Sequence, residues 1–319
     1  DHLKHCSRKL ETKKMTNFHS GSVAVIGRPN AGKSTLINAF LGQKVAAVSP
    51  KAQTTRRRQL GILTTESAQL IFVDTPGLHN ARHKLGEFLN QEAEESMHRV
   101  DAILWMLDAA EGLTEDDKRI AAFLAQMKHR PPLILALNKI DLIPADQVSA
   151  KLTLFGDLVK EAEIYSLSAT RGDGRDALLA TLTSKMPERE AEFDAEQVTD
   201  FYEREIAADL IREACLQHLR DEVPHGINVR MDEFTERGEQ GAFIAATIFV
   251  ERDSQKGIVI GDGGLMLKKI GTTAREEIES MSGRKIFVQL RVKVEKDWRD
   301  DESALRRFGY KLEPKRKKK

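Results

Sequence analysis

From Val23 onward, short apolar runs alternate with stretches of helical period. Val23-Ala24-Val25-Ile26 reads as a buried strand, followed by a helix over Thr35 to Leu41 that Gly42 can end in a left-handed turn. Leu60 to Leu63 and Gln69 to Val73, ending at Asp74, read as strands. A polar helix from about Lys84 to His98 precedes the strand Ala102 to Leu107, and a helix runs from about Glu115 to Lys128. Pro131-Pro132 introduce the strand Leu133 to Leu137 ahead of Asn138. Ile164 to Leu167 is a shorter strand before Ser168, and Asp176 to Lys185 the last helix of this unit. Such alternation predicts an α/β fold with a doubly wound, mostly parallel sheet, whose ligands bind beyond the carboxyl ends of the strands.

After Met186-Pro187 the chain turns acidic and loses its period until about Asp200, which reads as a linker. Phe201 to Leu219 is an amphipathic helix with Ile206, Leu210 and Leu216 at core spacing. Two alternating strands, Ile227 to Glu236 and Ala242 to Glu251, flank the turn Arg237 to Gly241. A short helix, a glycine loop at Gly261, a longer helix to Ser282 and a strand from Lys285 to Lys296 follow. The order α-β-β-α-α-β predicts a smaller α+β domain. The expected division is a leader over 1–20, a first domain over 21–187, a linker over 188–200, a second domain over 201–310 and a basic tail over 311–319. Asp1 to Lys14 lacks the apolar core of a signal peptide, and Met15 is the expected native start.

The 319 residues are 40% hydrophobic and 31% charged, ample for two separate cores. A net charge of +1 excludes a whole-molecule basic field, so any nucleic acid must be read by a local patch. Cys6 and Cys215 form no C-x-x-C pair and join no His/Cys cluster, which fits a reducing cytosol rather than a disulfide or zinc scaffold. No apolar run approaches the roughly 20 residues needed to span a bilayer. An integral membrane protein is therefore not expected.

The chemistry begins at Gly27-Arg28-Pro29-Asn30-Ala31-Gly32-Lys33-Ser34, between the first strand and Thr35. Glycines at this spacing let backbone N–H groups wrap a phosphate chain, and the helix behind aims its positive end at the same anion. Lys33 would reach the β- and γ-phosphates, and the Ser34 hydroxyl would ligate Mg²⁺. Asp74-Thr75-Pro76-Gly77 closes its strand downstream, where Asp74 can hold Mg²⁺ through a water and the Gly77 N–H can bond a γ-phosphate oxygen. Asn138-Lys139-Ile140-Asp141 selects the base. The Asp141 carboxylate can accept from the ring N–H and exocyclic amine of guanine, a donor pair that adenine lacks. Asn138 would brace the loop and touch the base, the Lys139 stem would lie along the purine, and Ser168-Ala169-Thr170 would complete the pocket. These motifs predict GTP rather than ATP.

Gln53-Thr54-Thr55-Arg56 lies in a polar, aperiodic stretch where a switch segment is expected, with either Thr54 or Thr55 joining the Mg²⁺ shell when the γ-phosphate is present. Arg56-Arg57-Arg58 is either an RNA contact or, the favoured reading, a solvated face. Leu78 follows Gly77 where many GTPases carry a water-orienting amide. Slow intrinsic hydrolysis follows, with catalysis falling to Lys33, Thr55 and Gly77. His79 is more simply a solvated loop side chain than a general base.

In the second domain, Ile260-Gly261-Asp262-Gly263-Gly264 joins two helices through a Gly-x-x-Gly loop of the kind that lets a single-stranded backbone approach closely. Lys268, Lys269 and Arg275 form a local positive edge on the following helix. Asp262 puts a carboxylate beside that edge, and acids slightly outnumber bases across the domain. Lys315 to Lys319 is a basic arm suited to RNA or an anionic membrane, or is merely solvated.

The phosphate loop through Leu36, Gln53 to Arg56 and Asp74 to Leu78 resemble the translation-factor-related class of P-loop GTPases, and within it the Era family. Val292 to Val294 and Trp298 to Tyr310 are similar to the end of that family, so the resemblance runs from about Gly21 to Tyr310. It implies a type II KH domain that holds single-stranded RNA near the 3′ end of small-subunit ribosomal RNA. It also implies GTP hydrolysis to GDP with Mg²⁺ during maturation of the small (30S) subunit. A cytoplasmic monomer is expected, peripherally attached to the inner membrane and without a DNA partner. Open alternatives are a sister ribosome-assembly GTPase, and an RNA-binding module with a vestigial nucleotide site.

Overall fold

The protein's structure, a computed structural model, describes residues 18–48, 55–238 and 241–310. The leader through Met15, the Gln53-Thr54 part of the switch segment and the basic tail lie outside the described residues.

In the first domain β1 (His19–Ile26), β3 (Ala68–Asp74), β4 (Ala102–Asp108), β5 (Leu133–Asn138) and β6 (Glu163–Ser166) run parallel, and β2 (Gln59–Thr64) pairs antiparallel with β3 at one edge. The strand order is β2-β3-β1-β4-β5-β6. Each residue of β3 and β4 is buried, as expected of strands covered on both faces. Alternation along β1 divides the cores. Val23 and Val25 face α1 (Lys33–Leu41) and α5 (Arg175–Lys185). Ala24 and Ile26 face the layer of α2 (Lys84–Ser96), α3 (Glu115–Gln126) and α4 (Val148–Gly156). The helix α4 was not expected from the sequence; it buries only Phe155, too little apolar face to show a period.

Residues 188–200 do not hang free. Ile62 N–H donates to the Val198 carbonyl at 2.9 Å, Leu60 N–H to Asp200 Oδ1 at 2.8 Å, and Gly61 bridges Thr199, so this segment lies along the outer edge of β2. Gln69, fully buried, holds its start by accepting from the N–H groups of Glu192 and Phe193.

The second domain has a three-stranded sheet, β7 (Asn228–Glu236), β8 (Ala242–Val250) and β9 (Ile286–Val294), with β8 central and parallel to β9. Its core joins Ile244, Ala246 and Ile248 to α6 (Glu203–His218), α7 (Asp253–Ile260) and α8 (Leu265–Ser282). Cys215 sits fully buried in it, as expected. Beyond β9, Trp298 and a further short helix, α9 (Glu302–Arg307), lead to Tyr310. Leu305, Phe308 and Tyr310 pack with Trp298 and Phe249 onto Leu85, Phe88 and Leu89 of α2. The two domains therefore share an apolar contact.

Candidate functional site

The phosphate loop is built where the backbone has no room for side chains. Gly32 caps α1 in a left-handed conformation with φ 99°, and a Cβ there would meet Asn138 Nδ2 at 2.2 Å. Asn30, a residue type that tolerates the left-handed region, has φ 65°. Lys33 is buried, and its ammonium donates to the carbonyls of Gly27 and Arg28, each at 3.2 Å. Burial pushes its pKa down to about 8 against the pull of Asp74. A phosphate chain would add countercharge to that of Asp74 and favour the protonated ammonium.

Ser34, Thr55 and Asp74 converge although they come from α1, the switch segment and the end of β3. Ser34 Oγ donates to Asp74 Oδ2 at 2.7 Å, Thr55 Oγ1 donates to the same oxygen at 3.2 Å, and the two hydroxyls lie 3.1 Å apart. Asp74 is buried, burial raises its pKa, and Oδ1 has no hydrogen-bond partner. Two hydroxyls and an unsatisfied buried carboxylate oxygen suit a hard, oxygen-seeking cation that keeps some of its waters. Among the described residues, no cluster of His, Cys, Asp and Glu offers an all-protein metal cage.

A cavity of about 540 Å³ runs from these groups to the carboxyl ends of β5 and β6. Asn30, Gly32, Lys33, Ser34, Thr35, Thr55 and Gly77 line one end, and Asn138, Lys139, Asp141, Ala169 and Thr170 the other. Asn138 fastens the two ends together: its Nδ2 donates to the Ala31 carbonyl and its Oδ1 accepts from Ala169 N–H, both at 2.9 Å. Lys139, at φ 64°, sends its ammonium 2.6 Å to Asp108, the last residue of β4. Ser168 sits behind the wall, its Oγ accepting from Arg171 N–H at 3.1 Å.

Sequence reasoning missed four contributors. Glu111 lines the cavity and pairs with Arg28. Asp108 pairs with Lys139 and also lies 3.6 Å from Arg28, and its place at a strand end beside Asn138 was a usable signal. Ala47 and Val48 add an apolar wall that nothing in their neighbourhood foretells.

Leu78 is buried in the same core cluster as Ile26 and Ala93, so its side chain belongs to the core and orients no water. His79 has its ring Nδ1 2.7 Å from the Gly77 carbonyl, while its backbone exchanges hydrogen bonds with Asn90.

The favoured solvated reading of Arg56-Arg57-Arg58 is overturned for Arg56, whereas Arg57 and Arg58 remain exposed. Arg56 is 3% exposed and donates across the domain boundary to the carbonyls of Ile227 at 2.6 Å and His225 at 3.2 Å, with its guanidinium 5.6 Å from the Trp298 ring centre. Arg57 donates to the Phe308 carbonyl at 2.6 Å and lies over Tyr310. A charge run looks alike in sequence whether water or distant carbonyls receive it. Next to them, Leu85 N–H donates to the Arg299 carbonyl and Lys84 N–H to Asp300, so α2 grips the same C-terminal segment.

In the second domain Gly261, Gly263 and Gly264 all have positive φ, and at Gly261 a Cβ would meet Met266 N at 2.9 Å. Asp262, Lys268 and Lys269 are exposed beside this loop, and Ile260 ends α7. Ile258 and Leu265, 51% and 69% exposed, add apolar surface that sequence reasoning had not singled out. Arg275 leaves the expected positive edge: it pairs with Glu279 at 3.1 Å, one helical turn away.

Residues 22–139 match the family described as 50S ribosome-binding GTPase, and residues 222–299 match the KH domain family. Among solved structures, the chain is similar to Era in complex with MgGDPNP and nucleotides 1506-1542 of 16S ribosomal RNA. Identity is 39%, over 92% of this chain and 100% of that one, with a TM-score of 0.87. A variant of Era from Aquifex aeolicus bound to GDP.AlF4- matches at 38% identity, with the same coverage and the same TM-score. Both domains are matched in order at this identity, and the chain accordingly belongs to the Era family of GTPases.

Proposed function

We propose that this protein binds and hydrolyses GTP to control its grip on the 3′ end of small-subunit ribosomal RNA during 30S assembly. One observation carries the reading. Thr55 stands at the Ser34–Asp74 cluster, and the next two residues, Arg56 and Arg57, are fixed in the second domain. A change at the γ-phosphate that moves Thr55 must therefore pull on the domain holding the Gly-x-x-Gly loop.

In this reading Ser34, Thr55 and, through a water, Asp74 hold Mg²⁺, while Lys33 and the loop N–H groups hold the phosphates. When bound, the ion neutralises the charge that spreads over the phosphate oxygens during transfer. Gly77 supplies a backbone N–H to the γ-phosphate, and Asp141 selects guanine. With Leu78 sequestered in the core, the chain itself presents no amide to the attacking water, so intrinsic turnover is slow. Gly261 to Gly264 take the RNA backbone, Lys268 and Lys269 meet its phosphates, and Ile258 with Leu265 offers apolar surface to unstacked bases. The solved relative in complex with MgGDPNP and nucleotides 1506-1542 of 16S ribosomal RNA supports both ligands.

No helix among the described residues is long and apolar enough to cross a membrane. The reading includes a cytoplasmic monomer, peripheral at the inner membrane through its basic tail. The test titrates a single-stranded oligonucleotide of the 3′-end sequence against protein loaded with a non-hydrolysable GTP analogue or with GDP. Tighter binding in the analogue state is expected. Equal, feeble binding in both states would sink the RNA target and leave only the GTPase.

A further inference from the structure

A second cavity lies between the switch segment and the second domain, and nothing in the GTPase cycle above uses it. Its volume is about 250 Å³, less than half that of the nucleotide cavity. Arg56 and Arg57 enter it from the first domain, Arg204 and Arg212 from α6, Arg230 from β7 and Arg307 from α9. Against these six stand two lining carboxylates, Glu205 and Asp209.

Both carboxylates already have partners of their own. Glu205 accepts from Tyr202 N–H in the cap of α6, at 3.1 Å, and Asp209 lies 3.4 Å from Arg212. Arg230 and Arg307 are drawn toward Asp232 and Glu295 at the rim. Counting those two acids with the lining ones, six guanidinium groups still meet only four carboxylates. Arg56, buried as it is, has an Nε–H with no acceptor, and a buried donor left unmade is costly. At the opposite wall Gly309, φ 86°, brings its backbone so close that a Cβ would meet Arg57 Nη2 at 2.7 Å. The site thus combines net positive charge, an unsatisfied buried donor and a volume too small for a second nucleotide of the size its neighbour takes.

We propose that this inter-domain cavity binds a phosphate group, as a free phosphate compound or as one phosphodiester of a bound RNA. Planar guanidinium forks match phosphate oxygens two at a time, and arginines from both domains would converge on one anion. Occupancy would then tie the switch segment to α6 and α9, tightening the same contact that Thr55 pulls on.

The test uses the full chain, ¹⁵N-labelled at arginine and loaded with excess GDP so that the nucleotide cavity is filled. Inorganic phosphate is titrated while the side-chain Nε–H signals are followed, with chloride at equal ionic strength as the control. Saturable shifts of Arg204 and Arg307 are expected. The double variant Arg204→Gln, Arg307→Gln should bind phosphate at least about tenfold more weakly while keeping GDP affinity. Displacement of phosphate by a short single-stranded RNA would identify an RNA phosphodiester as the occupant, and indifference to RNA a free phosphate compound. Shifts that chloride reproduces, or an affinity unchanged in the double variant, would overturn the proposal.

Discussion

Replacing Arg56 by Met keeps the length of the side chain and removes its charge and donors. The carbonyls of Ile227 and His225 then lose their cross-domain partner, and the contact with the Trp298 ring is weakened. Two hydrogen bonds from a charged donor are worth about 1.5–3 kcal/mol each, and a desolvated cation–π contact about 2 kcal/mol. Burial opposes the arginine's charge and lowers its pKa, so part of this sum is returned when the charge goes. A net loss of about 2–4 kcal/mol remains, and it falls on the domain contact rather than on either core. Since about 1.4 kcal/mol is tenfold, the ratio of RNA affinities in the analogue and GDP states should shrink by at least about tenfold. GDP binding itself should stay within about twofold, because Arg56 does not line the nucleotide cavity. The assay is the oligonucleotide titration with both loaded forms of the variant. A ratio equal to that of the unmodified protein would refute the idea that Arg56 carries the signal.

Three further outcomes are expected. Asp141→Asn places an amide donor against the two donors of guanine, so GDP affinity should fall at least about a hundredfold while xanthosine diphosphate gains, as competition binding would show. Leu78→Gln should not quicken hydrolysis and should destabilise the first domain by about 2–3 kcal/mol in urea, since it buries an amide where Ile26 and Ala93 pack. Burial pushes the Cys215 thiol from 9.0 up to about 12. A pKa raised by folding gives stability that is fully present below pH 9 and lost as the pH climbs toward 12, up to about 4 kcal/mol. Cys215→Ala should flatten that part of the stability profile relative to the unmodified chain.

The nucleotide site was legible because each of its parts is local. Lys33, Asp74, Asn138 and Asp141 each sit at or just past a strand end that the apolar runs mark, and a doubly wound sheet gathers such ends on one side. The order of the smaller domain was readable for a similar reason, since the apolar run of β8 and the periodic face of α6 survive as pattern. The domain contact was not readable. Arg56 is satisfied by carbonyls that lie about 170 residues away, and main-chain acceptors leave no trace in composition. Nor was α9, six residues whose buried side chains are only Ala304 and Leu305. Its stability comes from α2 and Trp298 rather than from its own period.

The acidic segment along β2 has a consequence for dividing this molecule. An outermost strand with free N–H and C=O groups is a template for pairing with another copy, and here that template is occupied by Val198, Thr199 and Asp200. A first domain cut after Lys185 would bare the ladder and tend to self-associate, whereas one cut after Asp200 would carry its own cover. The joint between the domains therefore also seals the open edge of the larger one.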